Sequence, residues 1–105
     1  MKEVTVQELH EMIQNKADFQ LIDVREEYEF DTANIGGELI PLATVIDQAD
    51  RISKSKPVII HCRSGVRSAA AIRELQTRLG FDNLSNLKGG IMAWSKEIDP
   101  SLQVS

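Results

Sequence analysis

Apolar positions along this chain alternate between short continuous runs and recurrences at helical spacing, and the changeovers outline its elements. Leu9, Met12 and Ile13 share one face of a helix expected over residues 6–16. Thr5 and Glu8 stand before it at capping-box spacing, with Val4 and Leu9 placed to form the hydrophobic staple. His10 has no metal-type partner near it in sequence and reads as a solvated helix residue. Phe19-Gln20-Leu21-Ile22-Asp23-Val24 reads as a buried strand that ends in the polar group Asp23, Arg25, Glu26 and Glu27. Residues 26–30 suit a short helix, Ile35-Gly36-Gly37 a turn, and Glu38-Leu39-Ile40-Pro41 a short extended piece stopped by proline. Within residues 44–53, Val45, Ile46, Ala49 and Ile52 fall at helical spacing.

The run Val58-Ile59-Ile60-His61-Cys62 has the continuous character of a central parallel strand. Over residues 67–79, Ala71, Ile72, Leu75 and Leu79 share a helical face, while Arg73, Glu74, Gln76 and Arg78 lie outside it. Gly80 stands at the C-terminal stop of that helix, and Phe81 can pack back over its last turn. Residues 83–87 supply a last strand, Lys88-Gly89-Gly90 a tight turn, and residues 91–98 a closing helix anchored by Trp94. Residues 99–105 are expected to form a frayed tail. Strands alternating with helices imply an α/β fold, a mostly parallel sheet covered on both faces.

Composition narrows the picture. A chain of 105 residues is expected to form one domain, 1–105, with no repeat, low-complexity run or interior linker. Apolar content of 42% and charged content of 27% are ordinary for a soluble globular protein. The net charge of −4 carries no basic footprint, so neither nucleic acid nor an acidic membrane is an expected partner. No apolar run approaches membrane-spanning length, and Met1-Lys2-Glu3-Val4-Thr5 lacks the core of a signal peptide, which makes the cytoplasm the expected location. One cysteine permits no intrachain disulfide, no CxxC zinc or redox site and no resolving thiol. No metal or cofactor is expected, and a free thiol suits a reducing compartment.

That cysteine is where the chemistry concentrates. Ligands of parallel α/β sheets bind beyond the carboxyl ends of the strands, and Cys62 falls at such an end. A lone Cys there is usually a small hydrophobe, but its neighbours are not those of a packing residue. Arg63 and Arg67 bring positive charge against the overall sign of the chain, and Gly65 permits a positive φ and close approach to a ligand. Ser68 can cap the following helix or orient it. Strand, loop and helix in that order aim backbone N–H groups and the positive end of a helix dipole at one spot. A thiol held there has a lowered pKa and substantial thiolate character near neutral pH. Strand alternation points His61 to the opposite face from Cys62, as a packed strand-end residue rather than a general base. Asp23 and Arg25 read as structural partners in hydrogen bonds and ion pairs in preference to substrate contacts.

Four stretches in order resemble one family, the single-domain rhodaneses, sulfurtransferases of the rhodanese homology superfamily. They are Leu21-Ile22-Asp23-Val24-Arg25-Glu26 with Tyr28-Glu29-Phe30, Ile35-Gly36-Gly37 leading to Ile40-Pro41-Leu42, the loop 62–67, and Leu87-Lys88-Gly89-Gly90-Ile91-Met92-Ala93-Trp94. The resemblance implies a single rhodanese-like domain with a mostly parallel five-stranded sheet and helices on both faces. It implies that Cys62 takes a sulfane sulfur from a small-molecule donor such as thiosulfate and holds it as a persulfide. The sulfur then passes to a thiophilic acceptor, cyanide or a thiol, or to a protein acceptor. The N–H groups of Arg63, Ser64, Gly65, Val66, Arg67 and Ser68 would surround the sulfur, with Asp23 and Arg25 in support. A ring of fixed dipoles stabilises an anionic persulfide without reorganisation.

Two positions depart from the family pattern. Asn34 stands where a histidine is frequent, and Ser64 where thiosulfate-specialised members often carry a lysine. The second removes a cation for a dianionic donor, which leaves Arg67 either to compensate or to brace the loop against a carboxylate. Two rival readings remain at this level. Cysteine-dependent phosphatases place five residues between cysteine and arginine; this chain has four, Arg63, Ser64, Gly65 and Val66, a cradle suited to one sulfur atom. A binding module that has lost its chemistry needs neither the cysteine nor the loop glycine, and this chain has both. A persulfide relay to a protein partner lies between enzyme and module.

Overall fold

The computed structural model describes residues 1–104. Five strands, β1 (Glu3–Val4), β2 (Gln20–Asp23), β3 (Glu38–Leu39), β4 (Val58–His61) and β5 (Leu84–Leu87), form one sheet in the order β1-β5-β4-β2-β3. Every neighbouring pair is parallel. Four α-helices accompany the sheet: α1 (Val6–Gln14), α2 (Glu27–Thr32), α3 (Val66–Leu79) and α4 (Gly90–Glu97). None of them is long and apolar enough to cross a membrane.

β4 is central and buried along its whole length, which is why its sequence is a continuous apolar run rather than an alternation. Successive side chains still go to opposite faces. Val58 and Ile60 join Ala71, Ile72 and Leu75 of α3 in one apolar cluster. Ile59 joins Val6 and Leu9 of α1 and Trp94 of α4 in the other. Helices therefore cover both faces of the sheet, and Cys62 emerges from the C-terminal end of its middle strand.

Local signals hold at both ends of the helices. Thr5 and Glu8 close the capping box on α1: the Glu8 N–H donates to Thr5 Oγ1 at 3.1 Å, and the Thr5 N–H donates to Glu8 Oε1 at 2.9 Å. α3 stops at Gly80, after which the Phe81 N–H bonds the Leu75 carbonyl and the Phe81 ring enters the first cluster. Three segments differ from the sequence reading. Over residues 44–53 the chain makes no α-helix; it makes two 3₁₀ turns, Leu42–Thr44 and Ala49–Arg51, joined by further turns. The reason is visible in the spacing, since Ile46, Ala49 and Ile52 recur every third residue, the period of a 3₁₀ helix. β1 is too short, at two residues, to leave a periodicity. In the segment expected to fray, residues 99–102 fold into a turn in which the Ser101 N–H and hydroxyl both donate to Asp99 Oδ1, and Leu102 packs against the second cluster. The last residue of that segment, Ser105, lies outside the described residues.

Candidate active site

Cys62 forms the floor of the loop between β4 and α3. Its side chain is almost fully buried, at 1% exposure, while Arg63, Ser64 and Val66 around it are exposed. Gly65 turns the loop: its φ of +111° is a conformation that side-chain-bearing residues rarely take, and it serves as the N-cap of α3. That turn sends two amides back to the sulfur, with the Gly65 N–H donating to Sγ at 3.1 Å and the Ser68 N–H at 3.4 Å. The Ser68 hydroxyl also lies 3.4 Å from Sγ. Burial pushes the Cys62 thiol up, but the Ser68 hydroxyl and the amides of Ser68, Gly65 and Ser64 outweigh it and hold the thiol below its ordinary value. Ser68 does not cap the helix; its side chain faces Cys62 and Asn86.

The outer side of the loop is pinned from α4. The Ile91 N–H donates to the Cys62 carbonyl and the Met92 N–H to the Arg63 carbonyl, each at 3.0 Å. These free donors at a helix start hold the two carbonyls outward, which keeps them from turning towards an anion on the inside. The approach requires Gly90, where a Cβ would stand 2.5 Å from the Arg63 oxygen and 2.6 Å from the Cys62 oxygen.

Arg67 does not point into the cradle as an isolated cation. Its two terminal nitrogens clasp Glu29 of α2 at 2.7 and 2.9 Å. This contact is the pairing with a carboxylate that the bracing role calls for. Hydrogen bonding from Arg67 holds the Glu29 carboxyl at a pKa of about 2 against the opposing effect of burial, and Glu29 in turn raises Arg67. α2 is itself tied down by Arg25. That buried guanidinium bonds both oxygens of Asp23, at 3.0 Å from Nε to Oδ1 and 2.7 Å from Nη2 to Oδ2, and Nη2 reaches the Ala33 carbonyl at 2.8 Å. Asp23 and Arg25 thus sit one step behind the loop, fixing the helix that carries Glu29. His61 is fully buried with Nε2 3.6 Å from Asp23 Oδ2, and burial lowers its pKa so that the ring is neutral near pH 7. Asn34 caps this region, its amide donating to the Phe30 carbonyl and accepting from the Gly36 N–H.

The Glu29–Arg67 pair has a pH signature. The carboxyl falls from 4.5 to about 2 on folding, so its contribution is fully present above pH 4.5 and lost as pH falls through 2. Allowing for the partly exposed Arg67, the pair is worth roughly 2 kcal/mol. Glu29→Gln is expected to lose about that much at pH 7 and to show a flatter loss of stability below pH 4.5 than the parent chain. Urea unfolding at pH 7, 4 and 3 measures it; equal slopes in the two proteins would show that the pair contributes nothing.

Sequence reasoning missed three members of the site. Asn86 of β5 accepts from the Ser68 hydroxyl at 2.6 Å and donates to the Gly65 carbonyl at 3.0 Å. Its signal was an Asn inside a strand otherwise apolar on that side, Leu84-Ser85-Asn86-Leu87. Glu29 was visible only as part of a motif, and Gly90 only as half of a turn.

The fold and the loop define a class before any comparison: a parallel α/β domain that holds one thiol among backbone amides at the end of its central strand. Residues 5–97 match the rhodanese-like domain family, and the chain belongs to it. The crystal structure of a rhodanese-like domain protein from Staphylococcus aureus superposes with a TM-score of 0.83 at 32% identity, covering 100% of this chain and 99% of that one. The chain is 33% identical over 103 residues to the probable adenylyltransferase/sulfurtransferase MoeZ of Mycobacterium tuberculosis, covering 94% of this chain and 26% of that protein. It is 30% identical over 109 residues to the adenylyltransferase and sulfurtransferase MOCS3 of Drosophila virilis, covering 96% of this chain and 24% of that protein. The chain thus spans about a quarter of the length of these two relatives.

Proposed function

We propose that the chain is a sulfurtransferase that carries a sulfane sulfur as a persulfide on Cys62. The observation that carries the reading is the pair of amides, Gly65 and Ser68, aimed at a buried thiol whose pKa they help to lower. With thiosulfate as donor, the Cys62 thiolate attacks the sulfane sulfur. An S–S bond forms at Cys62, the sulfur–sulfur bond of thiosulfate breaks, and sulfite leaves with the electron pair. The terminal sulfur of the persulfide is then attacked by a thiophile. Cyanide takes it as thiocyanate, and the Cys62 thiolate returns with the electron pair. Dividing one transfer into two displacements is the advantage of a covalent carrier, and fixed N–H dipoles suit the anionic sulfur at every stage.

A protein acceptor is the second reading. It is supported by relatives in which a matching segment is part of a much longer protein named for sulfur transfer. The two readings share the persulfide and differ in the second step. The phosphatase reading has less support: a loop of four residues between Cys62 and Arg67, with Arg67 clasped to Glu29, leaves no free guanidinium fork for three equatorial phosphoryl oxygens.

Intact mass after incubation with thiosulfate, mercaptopyruvate or a protein persulfide tests the carrier directly. A gain of one sulfur is expected with at least one donor, discharged by cyanide, together with negligible hydrolysis of aryl phosphates. No gain from any donor, or efficient aryl phosphate turnover, would overturn the assignment.

A further inference from the structure

We infer that Asn86 is a positioning residue that sets the direction of the Ser68 hydroxyl and thereby offsets part of the stabilisation the cradle gives the Cys62 thiolate. The argument is one of donors and acceptors. The Gly65 carbonyl can only accept, so the group 3.0 Å from it must be the Asn86 nitrogen. The Asn86 oxygen therefore faces the Ser68 hydroxyl, 2.6 Å away, and takes its single proton. Towards Cys62 Sγ, 3.4 Å off, Ser68 then has only lone pairs to offer. In that arrangement the Cys62 S–H donates to Ser68, Ser68 donates to Asn86, and the chain of bonds ends there because an amide oxygen passes no proton on.

Losing the Cys62 proton reverses the demand. Sulfur becomes an acceptor, and the Ser68 hydroxyl must turn its proton away from Asn86 towards Sγ. The turn leaves Asn86 Oδ1 without its donor in a residue only 5% exposed, and an unsatisfied buried acceptor costs free energy. Asn86 thus opposes the amides of Gly65 and Ser68, which favour thiolate. The balance has a use. Nucleophilicity falls as a thiol becomes more acidic, so an attacking thiol works best with a pKa near the ambient pH. Asn86 acts in the direction that keeps the thiol less acidic than the amides alone would make it.

The other titratable or charged groups about Cys62 are His61 beside it, Asp23 and Arg25 at the end of β2, Tyr28 and Glu29 of α2, and Arg63 and Arg67 of the loop and α3. Replacing Asn86 by another neutral residue adds and removes no charge among them. The inference deepens the reading of Cys62 as the nucleophile, yet alkylation reports on the thiol itself, so failure to transfer sulfur would leave it standing.

The experiment is the rate of iodoacetamide alkylation of Cys62 against pH in four proteins: the parent chain, Asn86→Ala, Ser68→Ala, and the double variant. Asn86→Ala is expected to lower the midpoint by about half a unit or more, roughly threefold in the ionisation constant, because the hydroxyl is released to sulfur. Ser68→Ala is expected to raise it. In the Ser68→Ala background the Asn86 substitution should move nothing. Asn86→Leu, which fills similar volume without an acceptor, carries the same expectation where the alanine variant does not fold. A midpoint unchanged or raised by loss of Asn86, or the same shift persisting without the Ser68 hydroxyl, would overturn the inference.

Discussion

Cys62→Ser is expected to reduce sulfur transfer to the uncatalysed background with every donor and acceptor, while the protein stays folded. Cys62 is the only thiol in the chain, so no second sulfur can substitute. A hydroxyl can accept the bonds from the Gly65 and Ser68 amides that now reach Sγ, but it cannot carry a sulfane sulfur. The structural cost is small by comparison. The substitution exchanges a buried thiol for a smaller, more polar group whose hydrogen-bond partners are already present, worth about 1 kcal/mol and a few degrees in thermal midpoint. The measurement pairs thiocyanate release from thiosulfate and cyanide with thermal unfolding. Substantial residual turnover in a folded variant would sink the persulfide mechanism, whereas an unfolded variant would show that the cradle depends on the thiol for its packing.

Much of this site was legible because each feature has a local cause. A continuous β-branched run marks a strand buried on both faces, and β4 lies at the centre of the sheet. Helical spacing of Ala71, Ile72 and Leu75 marks α3, and together they place Cys62 at the switch between strand and helix. What escaped was contact between residues distant in sequence. Nothing in the neighbourhood of Glu29 says that Arg67, 38 positions later, will clasp it. A polar residue on the apolar side of β5 marks Asn86 as unusual, but its neighbours do not say that it serves both Ser68 and Gly65. The turns of residues 42–51 were missed for a different reason: spacings of three residues fit a 3₁₀ period as well as one face of an α-helix, and Pro41 at their start does not decide between them.

The loop glycine drew notice in the sequence, yet the glycine with the larger expected effect is Gly90. Both a positive φ of +58° and a clash act there. The φ alone costs a side-chain-bearing residue about 1–2 kcal/mol. The clash is worse, because a Cβ would lie 2.5 Å from the Arg63 oxygen and 2.6 Å from the Cys62 oxygen, and these are backbone atoms with no rotamer to escape into. Relief requires α4 to retreat from the loop, which breaks the bonds from Ile91 and Met92 to those same carbonyls. Released, the carbonyls of Cys62 and Arg63 are free to turn, and the amides that follow them lose their aim at sulfur. Gly90→Ala is therefore expected to cost at least about 3 kcal/mol and to slow Cys62 alkylation near neutral pH. Gly80→Ala is the control. Its φ of +71° carries the same conformational cost, but nothing stands within 4 Å of the added Cβ, at the end of α3 remote from the loop. It should lose about 1–2 kcal/mol and leave Cys62 reactivity unchanged. Urea unfolding and alkylation rate on the two variants separate the clash from the strain. If Gly90→Ala matched Gly80→Ala in both, the packing of α4 on the loop would have no part in aiming the cradle.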